Sequence, residues 1–263
     1  MQFEGKVVAI TGAAGGIGRE LCRYFGGEGA TIAAFDRSIA VTDFANDLRG
    51  SGIKAEAEVV DIGDANGVKQ AFSNLQTSLG AADILINNAG VSRHPSLEVT
   101  TPQGFADDVN TNVNGAYNCC HAVLPGMKAK EAGAIVNIGS VNGLSALGDP
   151  AYSVGKAGMI SLTKSLAVEF GRYGIRANIV CPATVRTPIW TERTARNPEV
   201  LEQLRRWYPL KRIVEPIEVV RAVAFLASDC ASAITGVVLP VDCGLTAGNI
   251  VMARELTLED LDG

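Results

Sequence analysis

The sequence lacks the features that mark secreted, membrane-spanning and nucleic-acid-binding proteins. It contains no run of about 18 apolar residues, and no basic segment followed by a long apolar stretch opens it. Its six cysteines show no CxxC spacing and lie mostly in apolar runs, which favours reduced core thiols over a disulfide framework. The formal net charge of −5 offers no basic surface to nucleic acid or to an anionic membrane. We therefore expect a cytoplasmic protein whose partner is a small molecule, with no metal site.

What the sequence does contain is an alternation of short apolar runs and longer amphipathic segments. At 263 residues, of which 47% are hydrophobic, the chain is long enough for one large α/β domain. Continuous apolar runs are typical of strands covered on both faces. The repeated order of strand then helix predicts a doubly wound parallel sheet with helices on both faces. The runs lie at 6–10, 31–35, 83–86, 134–138, 176–180 and 237–241, and the helical segments at 17–27, 39–50, 64–79, 103–130, 151–172 and 216–228.

One domain is expected over residues 1–246, with an insertion at 186–214 that reads RTPIWTERTARNPEVLEQLRRWYPLKRIV. This stretch is polar, arginine-rich and helical in pattern, although it falls between two strand-like runs. It is therefore interpreted as a lid over a binding site. The C-terminal extension at 247–263 carries the apolar segment IVMARELTLEDL. We expect it to pack on a neighbouring subunit, the alternative being a frayed terminus.

A glycine-rich turn, TGAAGGIG at 11–18, follows the first apolar run and precedes a helical pattern. Its glycines would let backbone N–H groups approach a pyrophosphate at the helix N-terminus, but an ordinary strand-to-helix turn is equally consistent with them. Asp36 favours a dinucleotide, because an acid at the end of the second strand can accept both hydroxyls of the adenosine ribose. The same carboxylate would repel the 2′-phosphate of NADP. NAD is therefore predicted, although the neighbouring Arg37 weakens that preference.

The stretch AYSVGK at 151–156 places Tyr152 four residues before Lys156. Residues at this spacing share one face of a helix, so the two side chains can converge. A nearby cation would favour the phenolate and lower the pKa of the tyrosine from its ordinary value of about 10. Pairs of this kind also occur on ordinary helix surfaces, so the spacing alone does not establish a chemical role.

Seven motifs occur in a recognisable order: TGAAGGIG (11–18), VVDIGD (59–64), NNAG (87–90), NVNG (112–115), IGS (138–140), AYSVGK (151–156) and CPATVRTP (181–188). Together they resemble the short-chain dehydrogenase/reductase family over nearly the whole chain, to about residue 246. The resemblance implies a Rossmann fold with about seven strands, a homotetramer, and a catalytic set of Asn112, Ser140, Tyr152 and Lys156. It also implies dinucleotide contacts from Gly12, Gly15, Gly16, Ile17, Gly18, Asp36, Arg37, Asp61, Ile62, Asn88, Ala89, Gly90, Tyr152, Lys156, Pro182, Val185 and Thr187.

The resemblance also assigns chemical roles. Tyr152 would be the general acid/base, Lys156 would favour its phenolate and hold the nicotinamide ribose, and Ser140 would hydrogen-bond the reacting oxygen. Asn112 would relay protons through water and Lys156, and Thr187 would bind the nicotinamide carboxamide. The alternatives are a loop-capping serine at 140, an exposed or kinking asparagine at 112 and an N-cap threonine at 187.

Two positions depart from the family pattern. Ala183 follows Pro182 where glycine is common, so that position cannot adopt a glycine-only conformation cheaply. Cys243 stands in VDCG (241–244) where glycine is usual. Both departures are expected to affect the shape of the substrate site more than the chemistry.

The expected activity is hydride transfer between NAD and a secondary alcohol or ketone. The arginines and aromatic residues of the lid predict a polar substrate, such as a sugar, polyol or hydroxyacid, and they would suit an anion because guanidinium groups bind carboxylates and phosphates. Most lid charges are nevertheless expected to be solvated. Two alternatives stay open, namely a 3-oxoacyl thioester reductase, which Asp36 disfavours because it would use NADPH, and an NAD-binding regulator without activity. Substrate contacts are assigned to Arg93, His94, Ser140, Asn142, Leu147, Trp190 and Arg193.

Overall fold

Seven parallel strands form one sheet in the order β3-β2-β1-β4-β5-β6-β7. The computed structural model describes residues 1–256, and of Ile189, Glu192 and Arg193 it describes the backbone alone. The strand order reverses between β1 and β4, which is the doubly wound arrangement that the sequence predicts. The strands are β1 (Val7–Thr11), β2 (Thr31–Asp36), β3 (Ala55–Val59), β4 (Ile84–Asn87), β5 (Gly133–Ile138), β6 (Ile175–Pro182) and β7 (Val238–Val241).

Strand β3 is not one of the predicted apolar runs, because its sequence alternates alanine with glutamate. It lies at the edge of the sheet and pairs only with β2. Glu56 accepts a hydrogen bond from the Ser78 hydroxyl at 2.6 Å, and Glu58 accepts one from the Asn74 side chain at 3.0 Å. A strand with one partner can keep such polar side chains at the surface, so its sequence does not resemble that of a buried strand.

Helices cover both faces of the sheet. The principal helices are α1 (Gly16–Gly27), α2 (Ala40–Gly50), α3 (Ala65–Leu79), α4 (Pro102–Val109), α5 (Gly115–Lys130), α6 (Pro150–Phe170) and α9 (Pro216–Ala227). Their bounds lie within a few residues of the predicted segments. Along β1, Val8 and Ile10 enter the core beneath α1, α2 and α9, whereas Ala9 enters the core beneath α3 and α5, as the two-residue period of a strand requires.

The predicted helix at 103–130 is interrupted. A π-helical turn at Asn110–Asn114 separates α4 from α5 and holds Asn112 in the interior of the protein. Turns of this kind insert into otherwise regular helices, frequently at functional sites. The amphipathic pattern of residues 103–130 continues through this turn, so the sequence predicts one helix there.

The predicted lid at 186–214 folds into short helical pieces. Helices α7 (Thr191–Arg196) and α8 (Val200–Leu204) are flanked by 3₁₀ turns at Pro188–Trp190 and Arg205–Trp207. A bridge between Val185 and Val214 closes the base of the insertion. Within the C-terminal extension, α10 (Ile250–Leu256) contacts the Arg205–Trp207 turn of its own chain. Residues 257–263, which complete the predicted extension, lie outside the described residues.

All six cysteines fall within the described part of the chain and are free thiols. Five are buried and Cys230 is exposed, which agrees with the expected core thiols at every position but Cys230. Over residues 1–256, no helix combines the length and the apolar character needed to cross a bilayer.

Candidate active site

A cleft of about 1240 Å³ runs along the carboxyl ends of the strands. The reversal of strand order beside β1 separates the loops there, and such crevices are where open α/β sheets bind ligands. The glycine turn and Asp36 occupy one end of the cleft, and Tyr152 and the lid occupy the other. The predicted site residues that line it are Gly12, Gly15, Gly16, Ile17, Asp36, Arg37, Asp61, Ile62, Asn88, Ala89, Gly90, Ser140, Asn142, Leu147, Tyr152, Lys156, Pro182, Val185, Thr187 and Trp190.

The glycine turn presents the uncapped start of α1 to the cleft. Its N-cap residue, Gly15, supplies no side-chain hydrogen bond, and the first turn contains no acidic residue. The N–H groups at this positive helix end are therefore free for an anion such as a pyrophosphate. Gly18 does not line the cleft, in contrast to the prediction. A Cβ there would collide with the Gly12 carbonyl oxygen, so Gly18 closes the turn.

Asp36 is held at the end of β2 by the backbone around it. One carboxylate oxygen accepts the Ala14 N–H at 3.0 Å, and the other accepts the Ser38 N–H at 2.9 Å. Each oxygen retains a further lone pair that can accept a ribose hydroxyl. These residues fit the adenosine end of a nicotinamide dinucleotide.

Sequence reasoning missed Arg19 at this end of the cleft. Its guanidinium lies 4.5 Å from the centre of the Phe44 ring, and its Nε donates to the Ala14 carbonyl oxygen at 2.9 Å. The residue lines the cleft one helical turn after Gly15, and that spacing could have identified it. Arg19 and Arg37 both place positive charge beside Asp36.

The loops after β1 and β4 are fastened together under the cleft. The Asn88 side chain donates to the carbonyl oxygens of Thr11 and Gly12, both at 3.0 Å. The Thr11 hydroxyl accepts the N–H groups of Asn88 and Ala89, both at 3.1 Å. The NNAG motif therefore fixes the floor on which a nicotinamide ribose would rest.

A buried chain of polar side chains sets the register of α6 on the sheet. Asn87 donates to Asn137 at 2.8 Å, and Asn137 donates to the Thr163 hydroxyl at 2.8 Å. Buried polar groups of this kind fix one arrangement because each must keep its partner. This series of hydrogen bonds thereby positions α6, which carries Tyr152 and Lys156 near its start.

Tyr152, Ser140 and Lys156 meet at the lid end of the cleft. Lys156 is buried, its Nζ donates to the Ile138 carbonyl oxygen at 2.8 Å, and it lies 5.5 Å from the centre of the Tyr152 ring. The Ser140 hydroxyl accepts the Asn142 N–H at 3.1 Å, and it acts to lower the pKa of Tyr152 against the larger effect of burial. Ser140 thus caps the short turn after β5, as the alternative assignment has it, and also faces the phenol.

The expected lowering of the tyrosine pKa is not found in the chain by itself. Burial raises the pKa of Tyr152, and the hydrogen bond from Ser140 only opposes this. Burial also lowers the pKa of Lys156 to about 8, with the nearby Cys181 thiol acting in the opposite direction. Lys156, 5.5 Å from the centre of the Tyr152 ring, therefore does not by itself offset the effect of burial on the phenol.

Asn112 lies behind the cleft wall. Its side-chain amide donates to the carbonyl oxygens of Val91 and Asp108, both at 2.8 Å, and its Oδ1 accepts the Val91 N–H at 3.3 Å. Of the two alternatives to a proton relay, an exposed polar residue is wrong, because Asn112 is buried within the π-helical turn. The side chain secures the loop after β4, and it has no hydrogen bond to Lys156 among the described residues.

Arg93 and His94, which the sequence analysis assigns to substrate at the rim, lie beside Asp108. Arg93 forms a 2.6 Å ion pair with buried Asp108, and the His94 Nδ1 lies 3.8 Å from the same carboxylate. Neither residue lines the cleft. A buried carboxylate requires such a partner, and this requirement holds the pair away from a substrate. Arg193, also assigned to substrate, has a side chain outside the described residues.

The described lid arginines do not line the cleft either. Ion pairs join Arg186 to Glu215 at 2.8 Å, Arg205 to Glu202 at 2.6 Å and Arg212 to Glu218 at 2.7 Å. Arg212 thereby ties the end of the lid to α9, because Glu218 belongs to the first turn of that helix. Arginines already paired on the outer surface give little reason to expect an anionic substrate.

The substrate end of the cleft is walled by apolar and aromatic side chains. Trp190 and Leu147 were assigned there from the sequence, whereas the structure adds Trp207, Tyr208 and Leu245. It also adds Asp149, the N-cap residue of α6, three residues before Tyr152.

The two departures from the family pattern have different outcomes. Ala183 is not among the non-glycine residues with positive φ in the described part of the chain, so it needs no glycine conformation. Cys243 does adopt a left-handed φ of 52°, and its carbonyl oxygen accepts the Leu210 N–H of the lid at 3.1 Å.

Thr187 precedes the Pro188–Trp190 turn without capping it through its side chain, which leaves its hydroxyl on the cleft wall.

Comparison with known proteins identifies the family. The family model described as enoyl-(acyl carrier protein) reductase matches residues 12–246. An uncharacterized oxidoreductase of Schizosaccharomyces pombe, C922.06, is 41% identical over 261 residues, covering 99% of this chain and 98% of that protein. The chain belongs to the short-chain dehydrogenase/reductase family. This short-chain dehydrogenase/reductase also matches the crystal structure of an oxidoreductase of that family from Burkholderia thailandensis, with 48% identity, a TM-score of 0.91 and coverage of 97% of this chain and 98% of the other.

Two further structures resemble this oxidoreductase and carry nicotinamide dinucleotides. Gluconate 5-dehydrogenase from Burkholderia cenocepacia, in complex with NADP and tartrate, is 31% identical with a TM-score of 0.88, covering 94% of this chain and 98% of the other. NAD⁺-bound xylitol dehydrogenase is 29% identical with a TM-score of 0.87, covering 92% of this chain and 99% of the other. Both forms of the dinucleotide therefore occur among structures similar to this enzyme.

Proposed function

We propose that this oxidoreductase interconverts a polar, hydroxylated secondary alcohol and its ketone, using NAD. The observation that carries the proposal is the meeting of Tyr152, Ser140 and Lys156 at one end of a cleft whose other end has a helix N-terminus and Asp36. The dinucleotide, when bound, supplies the hydride acceptor for alcohol oxidation and the hydride donor for ketone reduction.

In the proposed reaction Tyr152 accepts the hydroxyl proton of the alcohol and returns it to the ketone oxygen in the reverse direction. Ser140 donates a hydrogen bond to the same oxygen in either state, because a hydroxyl is both donor and acceptor. Lys156 contributes positive charge under the phenol and a hydrogen-bond donor toward the ribose. Since burial raises the pKa of Tyr152, the chain holds the tyrosine protonated until another positive charge is present in the site.

The preference for NAD rests on Asp36. Its two oxygens are already oriented by backbone N–H groups, so the carboxylate is fixed where a 2′-phosphate would lie. Arg19 and Arg37, which also line the cleft, would reduce the repulsion between the Asp36 carboxylate and a 2′-phosphate. We therefore propose a preference for NAD over NADP that is marked but not absolute.

The proposed substrate is polar because donors and acceptors such as Ser140, Asn142 and Asp149 line the lid end of the cleft among the aromatic side chains. The pairing of three lid arginines, Arg186, Arg205 and Arg212, with glutamates favours a neutral substrate over an anionic one. A thioester reductase is the second candidate, because the matching family model carries the description of an acyl carrier protein reductase. Asp36 speaks against it, since that chemistry is expected to use NADPH.

The proposal also includes a homotetramer and a cytoplasmic location. The outer faces of α5 and α6 expose apolar side chains, including Tyr117, Val154 and Val168, that a second subunit would cover. Free buried thiols suit a reducing compartment.

The deciding experiment exchanges Tyr152 for phenylalanine, which removes the proton donor and keeps the ring. Oxidation of a panel of polyols, sugars and secondary alcohols is followed by absorbance of the reduced nicotinamide, with NAD⁺ and with NADP⁺. We expect kcat to fall by roughly 10²-fold to 10⁴-fold, the usual contribution of general acid/base catalysis, with NADH binding unchanged.

Two results would contradict the proposal. Retention of full activity by Tyr152→Phe would remove the tyrosine from the mechanism, and equal use of NAD⁺ and NADP⁺ by the unmodified enzyme would remove the cofactor preference. A regulator without activity predicts NADH binding in both proteins and turnover in neither, so binding and turnover are measured together.

A further inference from the structure

The Asp149 carboxylate lies in the cleft without a hydrogen bond or ion pair to any of the described residues. Its polar neighbours are already engaged, since Asn142 donates to the Gly148 carbonyl oxygen at 3.0 Å and the Ser140 hydroxyl accepts the Asn142 N–H. We propose that Asp149 determines substrate specificity by accepting a hydrogen bond from a second hydroxyl group of a neutral polyol or sugar, and by excluding carboxylates. This inference rests on the proposed function and narrows its substrate class.

The backbone holds Asp149 in a conformation that few residues adopt. Its φ of 46° and ψ of 67° place it in the left-handed region, which aspartate and asparagine tolerate better than other side chains with a Cβ. The conformation is fixed on both sides. The Asp149 N–H donates to the Pro95 carbonyl oxygen at 3.3 Å, and the Asp149 carbonyl oxygen accepts the Ser153 N–H at 2.8 Å.

The preceding residue is anchored as well. Its carbonyl oxygen, that of Gly148, accepts hydrogen bonds from the Asn142 side chain and from the Ser153 hydroxyl, the latter at 2.8 Å. The backbone that carries Asp149 is thus held by three segments of chain. Strained, over-determined backbone of this kind is characteristic of binding and catalytic positions.

The carboxylate faces the reacting end of the cleft. Asp149 is the N-cap residue of α6, three residues before Tyr152, and both residues line the cleft. Burial is the main cause that raises the pKa of Tyr152, and the negative charge of Asp149 acts in the same direction. A substrate whose reacting hydroxyl reaches Tyr152 is therefore exposed to the negative charge of the Asp149 carboxylate.

Three described cationic side chains line the cleft. Arg19 and Arg37 lie at its adenosine end, and the Nζ of Lys156 donates to the Ile138 carbonyl oxygen. A substrate carboxylate beside Asp149 would meet a like charge, whereas a hydroxyl would find an acceptor. The aromatic walls supplied by Trp190 and Trp207 suit the C–H faces of a polyol or sugar ring.

The test uses three alcohols of one shape: cyclohexanol, 1,2-cyclohexanediol and 2-hydroxycyclohexanecarboxylate. They share the reacting carbinol and differ only in the neighbouring hydrogen, hydroxyl or carboxylate. Values of kcat/KM are measured for the unmodified enzyme, for Asp149→Asn, which suits the left-handed backbone, and for Asp43→Asn. Asp43 is exposed on α2 outside the cleft, so it controls for loss of one negative charge.

The unmodified enzyme is expected to prefer the diol to both other alcohols. In Asp149→Asn the ratio of kcat/KM for the hydroxyacid to that for the diol should rise about tenfold, which corresponds to about 1.4 kcal/mol. Asp43→Asn should leave the ratio unchanged.

An unchanged ratio in Asp149→Asn, with activity retained, overturns the inference and leaves the proposed function intact. A preference of the unmodified enzyme for the hydroxyacid has the same meaning. No turnover of any of the three alcohols with NAD⁺ or NADP⁺ overturns both proposals.

Discussion

Burial of Lys156 has a consequence for stability as well as for catalysis. Its folded-state pKa of about 8 lies below the unfolded value of 10.5, so between these values the unfolded chain binds more protons than the folded chain. The charged lysine therefore destabilises the fold at pH 7, and this penalty is relieved as the pH rises through 8 toward 10.

We expect the free energy of unfolding of the unmodified protein to rise from pH 8 to pH 10 by about 2 kcal/mol relative to that of Lys156→Met. The comparison is made by urea unfolding without cofactor, and titration of the other groups cancels because both proteins share them. Parallel pH profiles of the two proteins would show that Lys156 is not desolvated in the fold.

At the scale of single residues, the sequence predicted side chains whose partners are local. Tyr152 and Lys156 share a helix face by spacing alone, and Asp36 follows a recognisable strand. Arg93 was misassigned because its partner, Asp108, lies 15 residues away on α4 and only the fold brings the two together. Asp149 was missed for a different reason, since its importance depends on the absence of partners, which a sequence does not reveal.

At the scale of elements, hydrophobic patterns located the helices and the covered strands but not the exceptions. The edge strand β3 and the π-helical turn at Asn110–Asn114 both lack a distinctive pattern, because an edge strand is not covered on both sides and a single π turn is too short to stand out within a helical pattern. The lid was predicted as an insertion, but its division into short helices depends on contacts with the rest of the chain.

The C-terminal helix gives a prediction at this scale. Since α10 contacts the Arg205–Trp207 turn, and Trp207 lines the cleft, deletion of residues 248–263 should loosen the substrate wall. We expect KM for the alcohol to rise roughly tenfold, about 1.4 kcal/mol of binding, with kcat and NADH affinity changed much less.

Deletion of residues 257–263 alone is the matched control, because it leaves α10 in place. Oligomer mass is measured alongside kinetics for both deletions, since the extension is also predicted to contact a neighbouring subunit. If the longer deletion changes neither kinetics nor mass, the extension has no role in the lid or in assembly.

At the scale of the whole molecule, exposed apolar side chains define the surface most in need of a partner. Val168 on α6 is 86% exposed, and Tyr117 on α5 is 52% exposed. Full burial of a valine contributes about 1.5–3 kcal/mol, and a symmetric interface gains this on both subunits. In an interface that buries these helices, the Val168 of each subunit would therefore add to the free energy of association.

Exchange of Val168 for glutamate places a charge in that interface, and burying an unpaired charge costs more than burying valine contributes. We expect the variant to sediment as a smaller species than the unmodified protein at micromolar concentration while retaining its melting cooperativity. Ile39, which is 72% exposed at the start of α2, supplies the control, because Ile39→Glu adds the same charge at a helix outside the predicted interface. A mass unchanged by Val168→Glu would place the subunit contact elsewhere, and a mass lowered equally by both variants would mean that net charge, not this surface, governs assembly.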